Sequence, residues 1–291
     1  MKHIVTVLIA FVLTHGAVYA QVDTTATVAA WNIQDGTGNE QRASEIASGI
    51  FWLDAELIVL TEASRTDKMQ GLITKLSDLG SDYTLHLPEQ QSASDQIAIL
   101  AKDGVQVTDV KLLAESDDNN RFLRKAITAS CSIGEFDFVL VGVHLKAGRG
   151  GGDRVIRTSQ CDVIAQFIDD ATSETEKDVL VVGDYNMIPG SSTSRKDRDN
   201  FVAMNPDSYL YFVSSEDLVG QGTHIGSDGH MGNLLDGFAI SSEHTDEYID
   251  GSLRIFPLHR AFRTSLADYR EFVSDHLPLV ARFVVTVDDD E

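Results

Sequence analysis

The sequence predicts an α/β domain whose sheets are covered by helices and whose strands pair both parallel and antiparallel. Strand-like and helix-like segments are interleaved in both halves of the 291-residue chain, and several strands are joined by turns too short to hold a helix. The run Val179-Leu180-Val181-Val182, apolar and mostly β-branched, reads as a strand buried on both faces of a sheet. No Pro/Gly/Ser-rich linker divides the chain and no segment repeats at a fixed period, so one domain over 21–291 is expected.

The N-terminus reads as a secretory signal: Lys2 and His3, an apolar run Ile4 to Leu13, then Val18-Tyr19-Ala20 with small residues where a signal peptidase reads. Cleavage near Ala20 would give a secreted or periplasmic protein, and an uncleaved anchor is the alternative. Ala26 to Trp31 is a first strand that delivers Asn32 at its end. Glu40 to Phe51 carries Ala43, Ile46, Ala47 and Ile50 at helical spacing, and Leu57 to Leu60 is a buried strand ending in Thr61-Glu62. Met69 to Leu79 is helical, with Gly80 as its stop. Strands follow at Tyr83 to Leu87, Gln96 to Leu100 and Val105 to Leu113, and the pair Ala126 to Ile133 and Phe136 to Leu145 is joined by a Gly134-Glu135 turn.

After the glycine-rich 148–152, the positions Val155, Ile156, Cys161, Ile164, Phe167 and Ile168 mark a helix. Pro189 to Gly232 shows no clear periodicity and is expected to be a long functional loop. Leu234 to Ile240, Ser252 to Pro257 and Leu277 to Val287 are the last strands, and Asp288-Asp289-Asp290-Glu291 is an acidic, solvated tail.

Composition narrows the function. A formal charge of −22 excludes tight, nonspecific DNA binding through a broad basic surface, but leaves room for a local basic patch or a divalent cation in an acidic cleft. Two cysteines exclude a disulfide scaffold; they allow one Cys131–Cys161 bridge or two buried thiols.

Nine polar residues stand at the ends of predicted strands: Asn32, Glu62, Asp95, His144, Asp184, Asn186, Asp236, Asp275 and His276. Each alone is a cap, a turn or a core histidine; together they point to a ligand cleft, which α/β domains build at strand ends. In Gly183-Asp184-Tyr185-Asn186 the glycine admits close backbone approach. If the backbone stays extended through Tyr185, the carboxylate and the amide point the same way, the first suited to a water and the second to a phosphate oxygen. An Asx turn closing a core strand is the competing reading.

The stretches Trp31-Asn32, Leu60-Thr61-Glu62, Val143-His144-Leu145, Gly183-Asp184-Tyr185-Asn186, Leu235-Asp236-Gly237-Phe238 and Ser274-Asp275-His276-Leu277-Pro278 resemble, in order, the motifs of the endonuclease/exonuclease/phosphatase superfamily with the DNase I-like fold. The resemblance implies a four-layer α/β/β/α sandwich of two mixed sheets and hydrolysis of phosphate esters with Mg²⁺, or Mn²⁺ or Ca²⁺. It implies Glu62, Asn32 and Asp275 at the ion, His276 as general acid or base oriented by Asp236, Asp184 at the water, Asn186 on the phosphate and His144 as second acid/base group or phosphate ligand. A histidine at 144 resembles the DNase I and sphingomyelinase branches; Asp95 is the candidate acidic partner of His144, and Arg124 resembles an arginine that approaches phosphate.

Lys146, Arg149, Arg154 and Arg157 either form a cationic lip for a phosphate substrate or are a solvated helix start. The expected function is a secreted, monomeric, metal-dependent phosphodiesterase, foremost a nuclease acting on DNA. A phospholipid or small phosphoester hydrolase and a non-catalytic, toxin-like binding module on the same fold are the alternatives. Tyr209-Leu210-Tyr211-Phe212 is the nearest approach to a membrane-contacting hairpin, with a core strand as its competing reading.

Overall fold

The computed structural model describes residues 24–88, 96–113, 125–172 and 176–286. The expected signal at 1–20, Asp95, Arg124 and the acidic tail at 288–291 lie outside the described residues.

In chain order the elements are β1 (Thr25–Asn32), α1 (Glu40–Leu53), β2 (Leu57–Ala63), α2 (Thr66–Asp78), β3 (Tyr83–His86), β4 (Gln96–Lys102), β5 (Val105–Leu112), β6 (Ile127–Ile133) and β7 (Phe136–His144). They continue with α3 (Gly151–Thr172), β8 (Val179–Asp184), α4 (Arg198–Met204), β9 (Leu210–Tyr211), α5 (Val213–Asp217), β10 (Asp236–Ser241), β11 (Arg254–Ile255), α6 (Leu258–Ala261), α7 (Leu266–Phe272) and β12 (Leu279–Val284). Two six-stranded sheets result, ordered β11-β12-β1-β2-β4-β3 and β5-β6-β7-β8-β10-β9. In each sheet one central pair is parallel, β1 with β2 and β7 with β8, and the other pairs are antiparallel. Each parallel pair is bridged by a helix, α1 or α3, as a parallel connection requires.

Strand alternation sorts the apolar residues into layers. Val28, Ala30, Val59, Ile99, Leu140, Val182, Phe238 and Ala281 point between the sheets. Their neighbours in sequence, Ala29, Trp31, Ile58 and Leu60, face α1, α2 and α7, where Ile46, Ile50, Leu72 and Tyr269 meet them. On the other outer face Val141, Val143 and Val181 pack under Cys161 and Ile164 of α3 and Met204 of α4. The order is helix, sheet, sheet, helix.

Local chemistry explains the element ends. Asn39 caps α1 by accepting from the backbone N–H groups of Gln41 and Arg42, and Gly80, at φ +80, ends the turn after α2. Trp31 fits against α1 only because residue 49 is glycine: a Cβ there would stand 2.8 Å from the indole ring.

Where the sequence showed only a long loop, the structure places the short elements α4, β9 and α5. They hold 7, 2 and 5 residues, too few for a period to emerge. The strand expected over Ser252 to Pro257 shrinks to two residues at a sheet edge, and α6 and α7 had no sequence counterpart. Leu210 and Phe212 are buried and the Tyr209 hydroxyl donates to the carbonyl of Lys177, so that segment is core strand.

The cysteine alternatives are decided by the layers. Cys131 lies between the sheets and Cys161 on the helix side of the second sheet, so the sheet separates two free, buried thiols. Burial pushes the Cys131 thiol up to about 12 and raises Cys161 as well. Native protein at pH 8 is therefore expected to resist a thiol-directed disulfide reagent, with both thiols reacting at once in guanidinium; one fast native equivalent would contradict this packing.

Candidate active site

Four strands change character at one end of the inter-sheet core. Inward-facing positions run Val28, Ala30, Asn32 on β1, Leu140, Gly142, His144 on β7, Leu180, Val182, Asp184 on β8 and Ile240, Phe238, Asp236 on β10. The apolar layer thus ends in a polar one. Register aligns it: Asp184 is paired with His144 on one side and Asp236 on the other, one row across three strands. A one-residue slip would turn any of these side chains to the outer face.

Asn32 reaches that row from the facing sheet. Its Nδ2 donates to Asp184 Oδ2 and to Glu62 Oε1, both at 3.1 Å, while its Oδ1 accepts from the Gln34 N–H at 2.9 Å. Simple alternation from Ile58 and Leu60 would send Glu62 outward to α1. A bulge between Leu60 and Ala63, with Glu62 at φ 54 in the left-handed region, turns it inward instead. His144 Nε2 lies 3.8 Å from Glu62 Oε1 and 3.7 Å from Asp184 Oδ2.

His276 arrives from the loop before β12. The Ser274 hydroxyl donates to the carbonyl of Asn32 at 2.6 Å and accepts from the His276 N–H at 3.0 Å. Trp31 Nε1 and the Tyr269 hydroxyl both donate to the His276 carbonyl. Held at the backbone, the imidazole meets Asp236 Oδ2 through Nδ1 at 2.6 Å. One oxygen of each of Asp184 and Asp236 and a ring nitrogen of His276 lie within 4.8 Å of one another.

At the end of β8 the turn reading of the sequence holds. The backbone does not stay extended: Asn186 has φ 52, and Asp184 Oδ1 accepts its N–H at 2.8 Å, which is the Asx turn. Turn and site coexist, because the turn spends one Asp184 oxygen and leaves the other to Asn32. Asn186 Nδ2 donates to the Leu145 carbonyl, tying this turn to the strand that carries His144. Gly183 makes the approach possible: at φ +138, a Cβ would fall 2.1 Å from the carbonyl oxygen of Val143.

Electrostatics follow from burial. Burial, then the neighbouring Asp236 carboxylate, raise Asp184 to about 7 against the lowering effects of His276 and the Asn186 and Asn32 donors. For His276 burial pulls downward, but the charge of Asp236, its hydrogen bond and the charge of Asp184 outweigh it and lift the imidazole to about 10. Asp236 Oδ1 is buried without a hydrogen-bond partner. Glu62, Asp184 and Asp236 thus face the His276 and His144 imidazoles, three carboxylates to two rings, with hard oxygen donors and the partly exposed Glu62 at the edge. That donor set fits a hard divalent cation.

Some expectations fall elsewhere. Asp275 sits beside the row, but its Oδ2 is engaged by Arg270 at 3.1 Å. Arg157 is no lip: it is 1% exposed and pairs with Asp197 at 3.1 Å, because a guanidinium buried between α3 and α4 needs a carboxylate and carbonyls around it. Lys146 pairs with Asp153 at 3.5 Å. His224 had no signal in its irregular segment; its ring packs on His276 at 5.1 Å between centroids, 69° apart, with Nε2 3.9 Å from Asp275. Thr223 was equally silent; its hydroxyl accepts the N–H groups of Leu235 and Asp236 and fixes the start of β10.

Both pKa shifts are upward, so the folded state holds protons that the unfolded chain releases. His276 contributes stability fully below about pH 6.5, and loses it as pH rises toward about 10. In EDTA, the advantage of wild type over His276→Gln in urea unfolding is expected to shrink from pH 6 to pH 10; an advantage that grows would contradict the assignment. Gly183→Ala is expected to cost about 3 kcal/mol in the same assay, the scale of a forced backbone clash.

No protein-family model matches the chain, and no curated protein matches it by sequence. Solved structures do match. The Danio rerio TDP2 complexed with single-strand DNA product has 14% identity and a TM-score of 0.67, over 90% of this chain and 99% of that one. The human Nocturnin catalytic domain with bound sulfate has 20% identity and a TM-score of 0.63, over 89% of this chain and 94% of that one. The Bacteroides thetaiotaomicron mannosyl-6-phosphatase has 16% identity and a TM-score of 0.61, over 88% and 98%. With its two mixed six-stranded sheets and helices outside them, the chain carries the DNase I-like α/β sandwich fold.

Proposed function

We propose that this chain is a metal-dependent phosphodiester hydrolase of the endonuclease/exonuclease/phosphatase superfamily, exported through its N-terminal apolar segment and acting on DNA. The observation that carries the reading is the convergence of His276–Asp236, His144, Asp184 and the Asn32–Glu62 pair at one end of the inter-sheet core. A water-excluded group of acids and imidazoles of this kind suits transfer of a phosphoryl group to water.

Glu62 would hold the divalent cation, Mg²⁺ or a similar ion, with Asn32 fixing the carboxylate and Asp275 close by. When bound, the ion neutralises charge developing on the phosphoryl oxygens. Asp184 orients the attacking water and takes its proton; a carboxyl raised to about 7 suits that exchange near neutrality. Asp236 holds His276 Nδ1, leaving Nε2 of the protonated ring to face the phosphate and supply a proton to the departing oxygen. Asn186 keeps one amide N–H on the Leu145 carbonyl and has its second for a phosphate oxygen. His144 Nε2, between Glu62 and Asp184, is the second proton-handling group.

The single-strand DNA product bound to the TDP2 structure supports a nucleic-acid substrate. The formal charge of −22 favours a second reading, a small phosphoester, since a long polyanion is repelled at distance. The mannosyl-6-phosphatase with the same fold supports that alternative.

Purified protein is expected to hydrolyse bis(4-nitrophenyl) phosphate and to cut single-stranded DNA with Mg²⁺ or Mn²⁺, and to stop in EDTA. His276→Gln and Glu62→Gln are each expected to lower kcat by about 10²-fold or more, the usual contribution of a positioned acid/base or charge-stabilising group. Turnover that survives both EDTA and His276→Gln would remove the proposal, and hydrolysis of small phosphoesters with single-stranded DNA left intact would select the second reading.

A further inference from the structure

Beside Asn186 a cavity of about 350 Å³ opens between the segment after β7 and the loop after β8. Its wall carries Arg149, Arg154, Arg157 and Lys196 against one carboxylate, Asp197. Asp197 is already spent on Arg157, which is buried and also donates to the carbonyls of Lys146 and Gly148. That buried guanidinium rivets the two walls together, so the cavity is preformed. Arg154 is held in turn by donating to the Arg149 carbonyl.

Arg149, Arg154 and Lys196 remain, and among the described residues none of them has a carboxylate within ion-pair reach. In a chain of formal charge −22, three cations without acids in one concavity mark a place for an anion. The cavity adjoins the catalytic row through Asn186 and, by way of a second space, His224. A neighbouring space of about 410 Å³, lined by His224 and His230, shares Gly148, Arg149, Asn186, Asn233 and Leu235 with it, and His224 packs on His276.

We propose that this cavity is a subsite for a second phosphate of the substrate, flanking the one that is cut, and that Arg149, Arg154 and Lys196 select single-stranded or short oligonucleotides carrying it. The inference rests on the phosphodiesterase reading above. It reconciles a nucleic-acid substrate with a strongly acidic protein: attraction is confined to one pocket that admits a phosphate or two, rather than spread along a duplex.

Three dinucleotides test it: TpT, with one phosphate, and pTpT and TpTp, each with a flanking one, alongside bis(4-nitrophenyl) phosphate. For wild type, one of the two flanked substrates is expected to exceed TpT in kcat/KM by about tenfold, through KM, as one charge-assisted contact gives. Arg154→Gln/Lys196→Gln, both side chains reaching solvent, is expected to erase that preference and leave bis(4-nitrophenyl) phosphate hydrolysis and thermal stability unchanged. Equal kcat/KM for all three dinucleotides, or a preference that survives the double substitution, overturns the subsite. If wild type cuts none of these compounds, the phosphodiesterase reading fails instead. Calorimetric binding of pTpT and TpTp in EDTA then decides the cavity: weaker binding by the double variant upholds it, equal binding rejects it.

Discussion

The Asn32 side chain is the interaction on which the site depends. Its amide nitrogen joins a carboxylate of its own sheet, Glu62, to a carboxylate of the facing sheet, Asp184. Its oxygen is held by Gln34, and its backbone carbonyl takes the Ser274 hydroxyl that sets His276. Every polar atom of that side chain, and the backbone carbonyl, is therefore committed, as burial at 1% exposure demands. Replacing the amide by an apolar group would remove the donor that stands between these two carboxylates.

The layer beneath explains why such a costly arrangement persists. Val182, Phe238, Leu140 and Ala30 close the space under the row and keep water out of it. In that low-dielectric setting a carboxylate repels its neighbour strongly and an imidazolium is attracted as strongly. Asp236 and His276 stabilise each other for this reason, while Asp184 is driven toward protonation. On the function proposed above, the same setting would make the surplus negative charge at Glu62 a receptor for a cation.

Much of this was legible in the sequence, because period-2 alternation and strand-terminal polar residues are local signals. β1, β2, β7 and β8, and the residues at their ends, follow from Ala26 to Asn32, Leu57 to Glu62, Phe136 to His144 and Val179 to Asp184. The inward turn of Glu62 was not legible, since a bulge has no reliable sequence mark and alternation points the side chain the other way. Nor was His224, whose place beside His276 comes from a bridge between two irregular segments. Arg157 was misread because a helix start rich in glycine and arginine looks solvated until α4 and its Asn200 are folded over it.

The pairing of the first described strand with the last has a consequence for how the molecule comes into being. β12 lies against β1 along six residue pairs, and the Trp31 indole bonds the carbonyl of His276 across 245 positions of chain. Contacts so distant in sequence form late, after the entropy of closing nearly the whole chain into a loop has been met. A ribosome-bound nascent chain lacking its final segment would have neither the edge of its first sheet nor the imidazole. If the chain has the function proposed above, catalytic competence would therefore arise in a single late step, and a truncated or still-unfolded polypeptide would be harmless to the phosphate esters of the cell that makes it.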